Sequence, residues 1–354
     1  MGKAHAVAAR STSAVMELDA DVQLKGIAAS SHSSAQRYAQ MFGAPIAFAT
    51  AQELINSPEI DAVIIASPQE THLEYVQACA RAGKPVLCEK PMGRNLAEAE
   101  KIAQAAGDLV NLVGYNYVNT PATAFARELI KSGAIGQITW FRGEHNEDFM
   151  VDADSTNWRL QGDANGTLGD LAPHMVQCAL TLCGPITSLV ADMKRRPEVR
   201  GQDHTTESND DQAQLMCQFA NGANGILSFS RVAHGRKMGY AYEIHGTEGS
   251  IRFDQEDQNA LWLYQRGDDP LSGFRKILAG PAHGDYRFFC QGPAHGTGYQ
   301  DQIIIEQGNF YRAILGQQDA WPNFHDGVDV MRVIEAIRHS YNSAGWVSLQ
   351  NQGK

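Results

Sequence analysis

The chain has 354 residues, a hydrophobic fraction of 43% and a formal net charge of -11 at pH 7. This length favours two domains that each bury a core, and the sequence has no run of about 18 apolar residues that would predict a membrane span. The negative charge disfavours nucleic acid, because affinity for a polyanion comes largely from Lys and Arg that neutralise phosphates, so a small-molecule partner fits better.

The first element is Met1-Gly-Lys-Ala-His-Ala. It is typical of the last glycine of a dinucleotide-binding G-x-G-x-x-G motif and of the helix that follows, whose amides hold a pyrophosphate. The strand and the two glycines that normally come before are absent, so we interpret the start as truncated or misassigned. A protein that dispenses with its innermost strand, in which Gly2 is an ordinary residue, is the alternative. No apolar region precedes a cleavage site, which predicts a cytoplasmic location.

Short apolar runs then alternate with helical patterns up to residue 117, which predicts parallel strands joined by crossover helices. Thr50 before Glu53 and Asn95 before Glu98 predict helix caps in which the carboxylate reaches back to the cap amide, and Gly83 predicts a left-handed helix end. The predicted strands are 22–28, 62–66, 85–88 and 109–114. Residues 1–119 therefore read as a Rossmann-type, doubly wound α/β domain without its first strand.

Beyond Thr120 and Pro121 the pattern changes to longer alternating strands with hairpin signals at Asn221-Gly222 and at 246–249. Tight turns join antiparallel strands. Residues 120–354 therefore predict an α+β domain with a mostly antiparallel open sheet, whose closing helices can pack back on the first domain. Its other predicted elements are a helix over 168–182, an irregular loop over 280–298 and helices over 304–315 and 327–343.

The six cysteines form no C-x-x-C pair and lie mostly in apolar stretches. A thiol in such a stretch behaves as a small hydrophobe, so we expect reduced core residues, and neither disulfides nor a metal site.

Three segments carry a resemblance to a known family: Ala66-Ser-Pro-Gln-Glu-Thr-His72, Ala82-Gly-Lys-Pro-Val-Leu-Cys-Glu-Lys-Pro91 and Gly169-Asp-Leu-Ala-Pro-His174. Together they resemble the Gfo/Idh/MocA oxidoreductases, and the likeness extends over essentially the whole chain. Within the family, Asn157-Trp-Arg159 and Arg231-Val-Ala-His-Gly-Arg236 are similar to members that dehydrogenate sugars. The resemblance implies an NAD- or NADP-dependent enzyme that moves a hydride between the nicotinamide and a hydroxyl-bearing carbon of a sugar, anhydrosugar or cyclitol.

Two other functions stay open. A non-catalytic regulatory protein that senses a dinucleotide or a sugar would explain the missing phosphate loop. The same fold could also support redox-assisted glycoside cleavage, carbonyl reduction or dihydrodiol dehydrogenation. The family further implies a homodimer or homotetramer that assembles through the second-domain sheet, with no membrane partner.

Lys90 is the first catalytic candidate, because it follows a predicted strand at the edge where open α/β sheets bind ligands. An ammonium there can hydrogen-bond the reacting oxygen. Without the family, a Lys before a Pro is more often a solvated turn residue.

Asp170 and His174 are the other two catalytic candidates, four residues apart and thus on one face of the predicted helix. An imidazole can exchange the substrate hydroxyl proton while the carboxylate orients substrate or ring. A helix cap beside a satisfied histidine, or half of a zinc site, are the alternatives. Pro173 departs from the family, which commonly has a small residue before the histidine.

The resemblance assigns cofactor contacts mostly to residues that follow the strands of the first domain. Ala29 stands where an acidic residue would bind the ribose diol of NAD, and Ser30, Ser31, His32 and Arg37 follow, so the sequence favours NADP over NAD. At the position of Gln69 the family often has an asparagine, so this sequence departs from the family there. The candidate cofactor residues are Gly2, Ser30, Ser31, Ser67, Pro68, Gln69, His72, Glu89, Lys90 and Asn116.

Substrate contacts would come from the second domain. Polar and planar side chains suit sugar hydroxyls and sugar faces, although each could equally be structural. The candidates are His145, Asp148, Trp158 and Arg159.

Overall fold

The computed structural model describes residues 1–151, 158–160, 162–196, 209–267, 270 and 272–349. The chain forms two compact units, the first made of Met1–Asn119 and Gly298–Val328, the second of Thr120–Thr297 and Asp329–Lys354. The first unit thus takes in 298–328, a segment that the sequence assigned to the second domain.

Short strands and helices alternate through the first 119 residues. In chain order they are α1 Gly2–Val15, β1 Gly26–Ile27, α2 His32–Phe42, β2 Ile46–Ala47, α3 Ala51–Asn56, β3 Val63–Ile65, α4 His72–Ala82, β4 Val86–Glu89, α5 Leu96–Ala106 and β5 Asn111–Gly114. The following elements are α6 Pro121–Lys131, β6 Ile138–Asn146, α7 Thr167–Asp170, α8 Ala172–Cys183, β7 Ile186–Lys194, β8 Gln212–Phe219, β9 Asn224–Ser230, β10 Gly239–Gly246, β11 Gly249–Asp254, β12 Ala260–Gln265 and β13 Arg275–Leu278. The chain closes with α9 Tyr299–Ile314, α10 Phe324–Ser343 and β14 Val347–Ser348.

The first unit contains two parallel sheets, β1–β2 and β3–β4–β5. All four residues of β4 are buried, as expected for a parallel strand covered on both faces. Leu87 and Leu112 pack against Phe310 of α9. The first predicted strand, 22–28, was too long: only Gly26–Ile27 is strand, because β2 is the only strand of the described residues that pairs with it.

Helix ends in this unit follow local sequence signals. Thr50 and Asn95 accept hydrogen bonds from the amides of Glu53 and Glu98, at 3.1 and 2.9 Å, as the cap pattern predicts. The two carboxylates do not return to the cap amides, however. They accept from the amide one residue earlier, Ala49 at 3.1 Å and Arg94 at 2.6 Å, which the length of a glutamate side chain allows.

The second unit is built on a nine-stranded sheet in the order β13–β12–β11–β10–β6–β9–β8–β7–β14. Every neighbouring pair is antiparallel except β6 and β9, so the predicted mostly antiparallel sheet is confirmed. Gly222, with φ at 87°, makes the turn between β8 and β9. A Cβ on Gly143 of β6 would lie 2.5 Å from the Met175 sulfur, so α8 approaches the sheet closely there.

The single helix predicted over 168–182 was wrong in one respect, since α7 and α8 are separate and Leu171 lies between them. Pro173 lies in the first turn of α8. Its ring has no N–H and would crowd the carbonyl four residues earlier, so a continuous helix is disfavoured at this point. Asp170 is therefore the last residue of α7, and His174 lies in the first turn of α8.

All six cysteines are buried. Burial raises the pKa of Cys79, Cys178 and Cys217 to about 12, so these thiols are poor nucleophiles. In the part of the chain that the structure describes, the helices are too short or too polar to span a bilayer.

Candidate active site

The first unit brings several of the predicted cofactor residues to one edge of a sheet. Lys90 directly follows β4, Ser67 lies two residues beyond β3, and Asn116 lies two residues beyond β5. Because β3, β4 and β5 are parallel, their carboxyl ends meet at the same edge, where open α/β sheets bind nucleotides. The donor set at this edge therefore fits a dinucleotide.

Glu89 fixes the backbone of Lys90. It is 4% exposed, its Oε1 lies 2.8 Å from Nε2 of His5, and its Oε2 accepts a hydrogen bond from the Lys90 amide at 3.1 Å. A Cβ on Gly114 would lie 3.1 Å from the Glu89 carboxyl carbon, so a glycine on β5 makes room for this side chain. Both carboxylate oxygens have protein partners, so Glu89 supports the Lys90 backbone, and the ribose contact that the resemblance implies stays a prediction.

His72 joins two of these loops. Its Nδ1 lies 3.1 Å from the Met92 carbonyl oxygen and its Nε2 lies 3.1 Å from the Ser67 carbonyl oxygen. The residue is 1% exposed, so His72 supports the loops, and its contact with the nucleotide stays a prediction. Pro68 and Gln69 begin the short 3-10 turn Gln69–Thr71 beside it.

The remaining cofactor candidates lie at the starts of the first two helices. Gly2 begins α1, with no atom within 4 Å of where its Cβ would be. Ser31 caps α2, its hydroxyl accepting from the Ser34 amide at 3.2 Å, and Ser30 precedes it on the surface. Helix starts of this kind present amides and hydroxyls to phosphates.

Helix α9 supplies residues that the sequence interpretation missed. Oε1 of Gln302 accepts a hydrogen bond from the side-chain Nδ2 of Asn116 at 3.0 Å, and Nε2 of Gln307 donates to the His5 carbonyl oxygen at 3.0 Å. Both glutamines are fully buried. Polar residues on either side of the apolar run Ile303–Ile304–Ile305 were the available signal, but the sequence did not show what they would contact.

Glu306, one residue before Gln307, is fully buried. Within the described residues, neither of its carboxyl oxygens has a hydrogen-bond partner. Burial, and then the charge of nearby Glu89, raise the pKa of Glu306 well above its ordinary value. The raised pKa favours the protonated, neutral form of Glu306.

We expect Glu306→Gln to change how stability depends on pH. Folded Glu306 keeps a proton that the unfolded chain releases above about pH 4.5. The free energy of unfolding is therefore highest below that pH and falls as the pH rises toward the raised pKa of the folded protein, by up to about 1.4 kcal/mol per pH unit. Glutamine, neutral and of the same shape, has no such loss. Melting temperatures from pH 5 to 8 should show the variant gaining on the wild type as pH rises. Glu100→Gln, at an exposed position, is the control, and a constant difference over this pH range would contradict the assignment.

The second unit brings its own predicted residues together. Nε of Arg159 donates a hydrogen bond to Oδ2 of Asp170 at 3.2 Å. The side chain of Arg159 is 37% exposed and that of Asp170 is 24% exposed. The pair therefore presents a compensated charge and several donors to solvent, which suits recognition of hydroxyl groups.

His145 and His174 meet edge to face, with ring centroids 5.6 Å apart. His145 is 1% exposed, its Nδ1 lies 2.9 Å from the Leu171 carbonyl oxygen, and its Nε2 lies 2.9 Å from Oε1 of Glu147. Both ring nitrogens are engaged, so His145 supports the break between α7 and α8, and its contact with the substrate stays a prediction. Asp170 and His174, on either side of that break, are consequently both tied to the same local structure.

The remaining substrate candidates are Asp148 and Trp158. Asp148 accepts from Nζ of Lys237 at 2.6 Å and from the Gly235 amide at 3.0 Å, and these bonds hold the pKa of the carboxyl below its ordinary value. It therefore anchors a surface turn. Trp158 begins the 3-10 turn Trp158–Leu160, and its side chain lies outside the described residues.

A zinc site was one alternative for Asp170 and His174. Among the described residues, no group of three or more His, Cys, Asp or Glu side chains is arranged to hold a metal ion.

Comparison with known proteins connects both units to one family. A model described as an oxidoreductase family with an NAD-binding Rossmann fold matches residues 1–117, and the GFO/IDH/MocA C-terminal domain model matches residues 123–252. Levoglucosan dehydrogenase from Pseudarthrobacter phenanthrenivorans is 35% identical, with 99% of this chain and 95% of that protein covered. The NADP(+) scyllo-inositol 2-dehydrogenase of Bacillus subtilis is 28% identical, covering 85% and 82%. The solved structure of levoglucosan dehydrogenase in complex with NADH and levoglucosan has a TM-score of 0.92 at 34% identity, covering 99% of this chain and 97% of that one.

Proposed function

The chain belongs to the Gfo/Idh/MocA family of oxidoreductases, and from that premise we propose that it is a dehydrogenase of an anhydrosugar or of a closely related sugar or cyclitol. It is an NAD(P)-dependent oxidoreductase that transfers a hydride between the nicotinamide and a hydroxyl-bearing carbon. The observation that carries the substrate class is the likeness to levoglucosan dehydrogenase over 99% of the chain.

Lys90, Asp170 and His174 carry the proposed chemistry. The bound nicotinamide nucleotide accepts or supplies the hydride. In the oxidation direction, the proposed role of His174 is to take the hydroxyl proton so that the carbonyl forms as the hydride leaves, and that of the Lys90 ammonium is to donate a hydrogen bond to an oxygen of the substrate; reduction reverses the proton transfer. Asp170, paired with Arg159, orients the substrate. The support is the fixed backbone of Lys90 at a strand end and the joint anchoring of Asp170 and His174.

We assign the nucleotide site to the helix starts at Gly2 and Ser30–Ser31 and to the loops after β3, β4 and β5. NADP is the preferred nucleotide in this proposal. Positions 28–31 read Ala-Ala-Ser-Ser, so no carboxylate there repels a 2'-phosphate, and the hydroxyls of Ser30 and Ser31 can hydrogen-bond it.

A steady-state assay tests substrate and nucleotide together. We expect nucleotide reduction with levoglucosan or a cyclitol, and a higher kcat/KM with NADP than with NAD. Ala29→Asp should reverse that preference by about tenfold or more, because it places a like charge beside the 2'-phosphate. Nucleotide binding without turnover of any alcohol would favour the sensing protein instead. Cleavage of a glycoside without net nucleotide reduction would favour redox-assisted hydrolysis.

The oligomer interface and the cellular location of the protein are also part of this proposal. Met216 and Ile226 are paired across β8 and β9 and are 53% and 41% exposed, which suits a homodimer or homotetramer formed through this sheet. The native mass by light scattering tests it, and a monomer would contradict it. Six buried thiols suit a reducing cytoplasm.

A further inference from the structure

A buried guanidinium in the second unit has no role in the chemistry described above. Arg231 directly follows β9 and is 0% exposed. Its Nε donates to Oδ1 of Asp211 at 2.8 Å, and its Nη2 donates to Oδ1 of Asn209 at 2.5 Å. Asp211 is 0% exposed and Asn209 is 3% exposed, so the three side chains form a desolvated group that we term the arginine cluster.

The arginine cluster binds backbone carbonyls of one segment. Nη1 of Arg231 donates to the carbonyl oxygens of Arg159 and Asn165, at 2.9 and 3.0 Å. Nδ2 of Asn209 donates to those of Arg159 and Gly162, at 2.9 and 2.8 Å. Two side chains thus hold three carbonyls, and the Arg159 carbonyl receives a hydrogen bond from each of them.

The far end of the same segment is held by Asp210, the residue between Asn209 and Asp211. Oδ2 of Asp210 accepts from the Leu168 amide at 2.8 Å, and the Asp210 carbonyl accepts from the Thr167 amide at 2.9 Å. A Cβ on Gly166 would lie 2.3 Å from Oδ1 of Asp210. The backbone on both sides of Asn165 is therefore fixed to residues 209–211 and to Arg231.

This segment carries Arg159 at one end and Asp170 at the other, and their side chains are paired. The planar guanidinium can serve Asp211, Asn209 and two carbonyls at once, which an ammonium on a flexible stem cannot. We propose that Arg231, with Asn209, is a positioning residue that sets the Arg159–Asp170 pair against the hydroxyls of the substrate; this inference rests on the proposed function.

Arg231→Lys and Asn209→Asp test the proposal. The first keeps the positive charge and the second keeps the side-chain shape, but each removes hydrogen-bond donors to the backbone carbonyls of the 159–165 segment. We expect kcat/KM for the sugar to fall about tenfold to a hundredfold, mainly through KM, because displacements of about 1 Å have effects of that size. The dissociation constant for NADPH should stay within about twofold, because the assigned nucleotide site lies in the first unit. Arg142→Lys, an exposed arginine on β6 of the same sheet, is the matched control.

A double-mutant cycle separates positioning from a merely structural role. In an Arg159→Met background the loss caused by Arg231→Lys should shrink to about twofold, because residues that act through one another are not additive. Wild-type kcat/KM in Arg231→Lys, or losses that multiply in the double variant, would overturn the inference. If Arg231→Lys does not fold, Asn209→Asp in the same cycle decides.

The experiments distinguish a failure of the proposed dehydrogenase function from a failure of the positioning role of Arg231. If the wild type binds sugar and nucleotide without turnover, the dehydrogenase assignment fails, and the same cycle read in the dissociation constant of the sugar still decides the role of Arg231. If the wild type binds no sugar, both are overturned.

Discussion

Lys90→Met is expected to lower kcat by about a thousandfold, with a much smaller change in the NADPH dissociation constant. Methionine has a similar length but cannot donate a hydrogen bond to the reacting oxygen, and removal of one such donor lowers kcat by about 10²–10³ or more. The backbone at this position is held by Glu89 through the Lys90 amide, and the substitution leaves that bond in place. Stopped-flow measurement of hydride transfer, with nucleotide titration alongside, checks the result.

Lys101→Met, at an exposed position on α5, controls for the loss of a positive charge. Lys90→Arg asks whether charge alone suffices. We expect it to remain impaired, because a guanidinium is larger and forked. Retention of more than a tenth of the wild-type kcat in Lys90→Met would remove Lys90 from the mechanism.

His174→Gln is the second large effect, with an expected loss of about 10²–10⁴ in kcat, the usual contribution of a general base. Glutamine can hydrogen-bond but cannot take up the hydroxyl proton. His174 is 5% exposed and packs against the ring of His145, so the melting temperature must be measured with the rate. A folded variant with nearly normal turnover would show that another group handles the proton.

His339→Gln on α10 is the matched control, since His339 is exposed. A second comparison is His145→Gln. Because both His145 nitrogens are engaged by Leu171 and Glu147, we expect a smaller loss in kcat than for His174→Gln. Equal losses from the two histidines would mean that the buried ring does more than support the loop.

Local signals in the sequence were sufficient to predict which segments are helices or strands and where several of the helices begin or end. Thr50 and Asn95 cap helices, Gly83 ends α4 with φ at 67°, and Gly222 turns between β8 and β9. These features depend on neighbours a few residues away, so they can be read from the chain directly. Short parallel strands were less certain, and 22–28 shrank to two residues because strand length depends on a partner.

The sequence by itself determined the fold class, because strand-end motifs and hairpin signals involve adjacent residues, and the resemblance of three segments to a known family supplied the candidate chemistry. Only the tertiary structure decided that His72, Glu89 and His145 support loops, that Glu306 is a buried acid beside Glu89, and that Arg231 holds the Arg159 backbone. Those roles depend on contacts between residues as far apart as His5 and Gln307. Such contacts form only when the packed core brings distant polar groups together out of water, where each must find a partner or stay neutral.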